Sequence, residues 1–219
     1  ALLPIVLLSI RKEVKKMSKP DKTISPKLLS CAEEEFLNVG FEKASTNAIC
    51  KQAGVTTGAL FKRYSSKGEL FNAVVAQVAD EFRNLLMEQK EDFNQLSAQE
   101  QETNAMSYST FDFVEYVYQH FNVFKILLEG AKGSEYENYI EELAEIFSNS
   151  IQGLLESTNK KAQINSKDVS PEILHILSRS YLTGLFEPVL HNMKKSDAKD
   201  YTEQISYFFS KGWEDILGL

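Results

Sequence analysis

The sequence predicts an all-α fold, a small three-helix head followed by a larger helical domain with about nine helices in all, and three observations predict it. Proline and glycine fall where helices start and stop, apolar residues recur between them at three- and four-residue spacing, and no β-branched run alternates with polar residues for long enough to make a sheet. The chain has 219 residues, 43% of them hydrophobic, without internal repeats or low-complexity stretches, so it can bury a full core. The head is expected over 17–68 and the larger domain over 69–219.

Residues 1–16 stand apart. Ala1 to Ile10 is apolar, yet it has no basic region before it, is too short to span a bilayer, and shows no small-residue cleavage site before the basic run from Arg11 to Lys16. Lys12-Glu13-Val14 can be encoded AAG GAG GTN, a ribosome-binding purine run two codons ahead of Met17. The expectation is a non-native or upstream leader, with Met17 the true start.

Ser25-Pro26 pairs an N-cap with proline at the first helical position. Ile24, Leu28, Ala32 and Phe36 then recur every fourth residue until Gly40 stops helix one. Helix two runs from about Thr46 to Ala53, with Ile49, Cys50 and Ala53 on its apolar face and Gly54 at its end. Thr56 caps helix three, in which Leu60 and Tyr64 face inward while Thr57, Lys62 and Arg63 point out. Ser66-Lys67-Gly68-Glu69 is a capping-box pattern that starts a long fourth helix through Leu70, Phe71, Val74, Val75 and Val78. Further amphipathic segments cover roughly 98–119, 121–131, 134–157, 171–193 and 198–217, with a polar loop from Ser157 to Val169. Gly184 and Pro188 predict a kink or an early end in 171–193.

Charge is unevenly spread. The net formal charge is -7, but residues 1–68 carry 12 Lys+Arg against 6 Asp+Glu and the rest of the chain 12 against 25, leaving a basic end suited to phosphates and an acidic body. Without residues 1–16 the head keeps 8 against 5. Cys31 and Cys50 form no disulfide framework and no metal-ligand cluster, which points to buried thiols in a reducing cytoplasm.

Helix two, the tight turn Ala53-Gly54-Val55 and helix three have the spacing of a helix-turn-helix. A small residue and a glycine let the helices cross closely, Val55 plugs the gap beneath them, and the second helix is free to enter a major groove. The longer string raises the specificity. Phe36-Leu37-Asn38-Val39-Gly40-Phe41, Ser45-Thr46, Ile49, Ala53-Gly54-Val55, Gly58-Ala59-Leu60-Phe61, Tyr64 and Ser66-Lys67-Gly68-Glu69-Leu70-Phe71 together resemble the head of the TetR family of transcription regulators, over about Lys22 to Val78.

That resemblance implies phosphate contacts from Thr46 and Lys67, and a recognition helix opened by Thr56, Thr57 and Gly58. Phe61 stands where the family usually has tyrosine, which removes a phosphate hydrogen bond and leaves the ring to meet a thymine methyl. Lys62 and Arg63 are the candidates for base readout, since Arg or Lys to guanine is the commonest specific contact. Tyr64, where the family has phenylalanine, reads as core. Lys19, Lys22 and Lys27 are either an arm over the adjacent backbone or a solvated terminus.

The body resembles the family only loosely. The stripes 171–193 and 198–217 look like the pair that the family doubles into a four-helix dimer interface, with Tyr181, Leu185, Ile205, Phe208, Phe209 and Trp213 as the expected contacts; packing within one subunit is the alternative. Residues 108–128 hold Tyr108, Phe111, Phe113, Tyr116, Tyr118, Phe121 and Phe124 with His120 among them. Tyr116, His120, Phe121 and Phe124 are therefore candidates to line a site for an apolar or aromatic ligand, with simple core packing an equal alternative. His175 and Arg179, one turn apart, are candidates to meet an anionic group of that ligand, although paired surface or interface groups are the favoured reading. Acidic pairs such as Glu141-Glu142 read as solvated helix faces.

The resemblance implies a ligand-responsive cytoplasmic regulator, a repressor that binds a palindromic double-stranded DNA operator as a homodimer and is released by a small-molecule effector. A helical interaction protein that keeps the head without specific DNA binding is the alternative. A small all-α enzyme is a further one, but His120, His175 and His191 lie in no HExxH, nucleophile elbow or phosphate loop. No cofactor, metal or membrane partner is expected.

Overall fold

A computed structural model describes residues 26–92, 113–157 and 161–217, which form two compact units. Residues 1–16, Lys19, Lys22, Tyr108, Phe111 and the segment 98–112 lie outside the described residues.

The first unit comprises 26–81 and 120–139. Helix α1, Pro26–Lys43, buries Leu28, Cys31, Ala32 and Phe36, the one-face spacing of a helix packed on a core. Its regular path ends at Gly40, whose φ of 73° and ψ of 167° only glycine adopts without strain. Helix α2, Thr46–Ala53, buries Ile49, Cys50 and Ala53 and ends on Gly54 in the left-handed conformation, φ 74° and ψ 30°. Helix α3 is short, Thr57–Phe61, and α4 runs Lys67–Asp92.

The second segment of this unit is helix α6, Phe121–Lys125, continued by a π-helical turn, Ile126–Gly130. That turn packs on α1 through backbone: a Cβ on Gly130 would come 3.3 Å from the Phe36 carbonyl oxygen, and one on Gly40 3.4 Å from the Gly130 carbonyl oxygen. Rings fill the space between. Phe71 meets Phe36 edge-on at 4.9 Å and Phe41 at 5.1 Å, with Tyr136 at 6.1 Å. The Tyr136 hydroxyl donates to Asn72 Oδ1 at 2.8 Å, and that of Tyr139 to the Ala79 carbonyl at 3.2 Å.

The second unit holds the remainder of α4, helix α5 (113–119), most of α7, Tyr139–Ser157, and helices α8, Pro171–Leu190, and α9, Lys195–Leu217. Phe82, Phe113 and Phe186 form a triangle with 5.6 to 6.0 Å between ring centres, and Phe147 lies between Tyr181 and Trp213 at 5.8 and 6.1 Å.

Two sequence expectations are corrected here, the start of 134–157 and the loop 157–169, while the early end expected of 171–193 is met at Leu190. Helix α7 begins at Tyr139, five residues after 134, because Ser134 and Glu137 close turns onto Ala131 and Ser134 instead. Helix α8 continues through Gly184 and Pro188 to Leu190. Proline removes one intrahelical bond there, and the helix ends within a turn, where Met193 N–H donates to the Pro188 carbonyl at 2.9 Å. Within the expected loop 157–169, Gln163–Ile164 pairs antiparallel with Lys167–Asp168 across Asn165 and Ser166, both at positive φ, the geometry of a type I′ hairpin. Among the described residues no helix is long and apolar enough to cross a membrane.

Candidate nucleic-acid interface

The interface is built on the α2–α3 turn. Ser45 is the N-cap of α2, accepting from Ala48 N–H at 3.3 Å, so Thr46 is the first helical residue and sits half-buried. Gly54 turns the chain, and the half-buried Val55 donates its N–H to the Cys50 carbonyl at 3.0 Å. Thr56 caps α3 by accepting from Ala59 N–H at 3.1 Å, which leaves its hydroxyl hydrogen free to donate outward. Lys62 N–H bonds to Gly58 and Tyr64 N–H to Leu60, so the helical spiral continues one turn beyond Phe61 and carries Lys62 and Arg63 with it.

Leu60 and Tyr64, one turn apart, are buried against the core. Thr57, Gly58, Phe61, Lys62 and Arg63 are exposed, and Phe61 keeps 47% of its surface open. Phe61 thus presents an apolar ring beside two cations on the outer side of this helix. Lys27 is helical, in the first turn of α1, and its Nζ lies 3.9 Å from the Cβ position that Gly54 lacks.

Helix α4 starts with a displaced box. Ser66 Oγ accepts from Glu69 N–H at 3.1 Å, but the Glu69 carboxylate reaches back to Ser65 N–H, at 2.7 Å, and that bond holds its pKa below the ordinary carboxylate value. Lys67 is directed inward. Its ammonium donates to the carbonyls of Glu42 and Ala44, both at 3.2 Å, and lies 4.7 Å from the centre of the Phe41 ring.

The other candidate residues fall into separate places. Tyr116 is buried in the second unit, stacked on Phe82 at 6.3 Å. His120, Phe121 and Phe124 belong to the first unit, where Phe124 is fully buried and burial pushes the half-buried His120 imidazole's pKa down against the opposing charge of Glu81. His175 and Arg179 come together on Glu141: His175 Nε2 lies 2.7 Å from Oε1 and Arg179 Nε 2.9 Å from Oε2, bonds that lower the Glu141 pKa. Glu142 takes Arg83 at 2.7 Å, so this acidic pair binds cations and is not the merely solvated face that the sequence suggested. Of the residues expected at a dimer contact, Tyr181, Leu185 and Trp213 are buried within the unit, Ile205 and Phe209 are half-buried, and Phe208 is 72% exposed.

Sequence reasoning missed the run Glu33-Glu34-Glu35. Each side chain ties α1 to a different place: Glu33 accepts from Asn122 at 2.9 Å, Glu34 from Gln52 at 2.5 Å, and Glu35 from the Ser45 N–H at 2.9 Å. Three consecutive glutamates on a helix fan over more than half a turn, the one signal that they meet different neighbours.

Residues 28–74 match the family profile described as bacterial regulatory proteins, tetR family. The HTH-type transcriptional regulator UidR of Escherichia coli strain K12 is 35% identical over 60 residues, which are 27% of this chain and 29% of UidR. The match thus spans under a third of that relative's length. Among solved structures, a cysteine-substituted form of the TetR family transcriptional regulator CifR, complexed with 26-base-pair double-strand operator DNA, superposes with a TM-score of 0.54 at 13% identity, covering 87% of this chain and 98% of CifR. NalD of Pseudomonas aeruginosa, the secondary repressor of the MexAB-OprM multidrug efflux pump, gives 0.52 at 20% identity over 82% of this chain and 92% of its own. These two likenesses concern the fold.

Proposed function

We propose, from the premise that this chain belongs to the TetR family of bacterial regulatory proteins through its head, that it is a ligand-responsive transcription regulator, a repressor that binds a palindromic operator as a homodimer and lets go when a small molecule occupies its body. The carrying observation is the exposed face of Thr57, Gly58, Phe61, Lys62 and Arg63 over the buried Leu60 and Tyr64. Such a face is free to enter a major groove while its back is fixed. Arg63 and Lys62 read guanine edges, Phe61 meets a thymine methyl, and the hydroxyls of Thr46, Thr56 and Thr57 reach phosphates or base edges.

UidR's being a transcriptional regulator, CifR's operator complex and NalD's repression support the reading by analogy. Phe82, Phe113, Tyr116 and Phe186 are buried and packed on one another, so an apolar or aromatic effector at this place would have to displace rings of the body's core. Release requires that the effector bind the DNA-free conformation more tightly than the DNA-bound one.

Fluorescence anisotropy tests the reading, using a palindrome that the chain selects from a randomised duplex library. Saturable binding that survives excess random DNA is expected. Equal affinity for the selected and random duplexes would overturn it.

A further inference from the structure

The joint between α1 and α2 is gripped from two sides. From α1, the Glu35 carboxylate takes the N–H of Ser45, the N-cap of α2. From the first residue of α4, the Lys67 ammonium takes the carbonyls of Glu42 and Ala44, the last groups before that cap. An ammonium has three donors and no acceptor. Two go to carbonyls at 3.2 Å, and the remaining side of the charge faces the Phe41 ring, 4.7 Å from its centre. Phe41 in turn packs on Phe71 in the core. The half-buried Lys67 therefore has its charge matched by the carbonyl end of α1 and by a ring face.

We propose that Lys67 is a positioning residue and not a phosphate ligand: with Glu35 it fixes the angle at which α2, and behind it α3, leaves α1. This departs from the phosphate contact that the resemblance implies for Lys67. Only its DNA arm rests on the regulator reading above. The two roles separate physically. A phosphate contact contributes equally to every sequence and to the salt dependence, whereas a positioning group contributes where the recognition helix must fit base edges and leaves the count of released counterions alone.

The test compares the full-length chain with Lys67→Met, which keeps the stem over Phe41 and loses the donors, and with Glu35→Ala, which loosens the same joint without removing a cation. Without DNA, amide hydrogen exchange at Ala44, Ser45 and Ala48 rises on the order of tenfold in both variants, while circular dichroism keeps its helical signal. With DNA, both variants bind the library-selected palindrome roughly tenfold more weakly or worse. Both bind random duplex within about twofold of the parent, with an unchanged salt slope. In the parent chain the Cε resonance of Lys67 stays in place when random duplex is added to saturation, a measurement that holds even if Lys67→Met does not fold. The proposal is overturned if Lys67→Met leaves exchange at the joint unchanged, if it lowers affinity for both duplexes alike or reduces the salt slope by about 0.9 per subunit, or if the Lys67 resonance moves with random DNA. Should the parent chain prefer no duplex, the regulator reading falls, and exchange at Ala44 to Ala48 still decides for or against the clamp.

Discussion

Gly40 holds a backbone conformation that glycine alone adopts without strain. Its φ of 73° with ψ of 167° lies in a region nearly closed to other residues, while a Cβ there would meet the Gly130 carbonyl oxygen at 3.4 Å, an ordinary contact. Gly40→Ala is expected to destabilise the chain by about 1–3 kcal/mol. A chain of this size loses roughly 2–4 °C of melting temperature per kcal/mol, so a calorimetric midpoint within a degree of the parent would contradict the strain argument. Arg63 makes the opposite case, since it is exposed in the free protein and its removal leaves no gap in the core. Arg63→Ala should leave the melting temperature unchanged and remove about 1–3 kcal/mol of discrimination at one base pair of each half-site. Competition with singly substituted palindromes reads this directly, and a uniform loss across all positions would assign Arg63 to phosphate.

Helices α1 to α4 were legible because their ends are written in local chemistry. Ser45, Thr56 and Ser66 cap, Gly40 and Gly54 stop, and the apolar spacing between them has one solution. The membership of 120–139 in the same unit was not legible, because its closest approach to α1 is backbone on backbone at Gly130 and Gly40, and its side-chain ties, such as Asn122 to Glu33, join residues far apart in sequence that no local pattern pairs. Of the candidate interface, the exposed face of α3 follows from periodicity, whereas the inward turn of Lys67 depends on where the end of α1 lies in space. The same limit applied to α7 and α8, where Glu141 looked solvated but holds His175 and Arg179 across the two helices. The partnership has a pH signature. Hydrogen bonds from His175 and then Arg179 lower the Glu141 pKa below its ordinary 4.5, so its contribution is present above that value and is lost as pH falls through the lowered one. Both side chains are partly open to water, which limits the effect to about 1 kcal/mol or less. The stability gap between the parent and Glu141→Gln is therefore expected to close as pH drops below 4.5, which urea titrations at a series of acidic pH values measure. A gap that stays open after the carboxylates are protonated would reverse the assignment.

At the scale of the whole molecule, charge and exposed apolar surface point the same way. Residues 69–219 carry 12 Lys+Arg against 25 Asp+Glu, so on the proposed function DNA would repel the body and affinity would rest on the head. One head offers a short recognition helix, and a second copy in register is the simplest way to raise both affinity and specificity. On the homodimer proposed above, that copy would meet the exposed apolar residues of the second unit, Ile173 and Ile176 on α8 and Tyr207 and Phe208 on α9, where Phe208 is edge-on to Phe209 at 5.5 Å and Phe209 packs on the buried Tyr181 at 5.0 Å. A phenylalanine ring that is 72% exposed and linked through Phe209 to the buried Tyr181 is suited to be covered by an apolar partner. Phe208→Glu places a charge where two copies would exclude solvent, and a central aromatic anchor is typically worth 2 kcal/mol or more to an interface. Dimerisation followed by sedimentation velocity across a concentration series should weaken by roughly thirtyfold or more. In the same variant, affinity for the full palindrome should fall toward that for a half-site, half-site affinity should not change, and the salt slope on the palindrome should drop to about half as one subunit's phosphate contacts are lost. A variant that sediments as the parent does would place the interface elsewhere, and one that turns monomeric yet keeps full palindrome affinity would mean that each head binds alone.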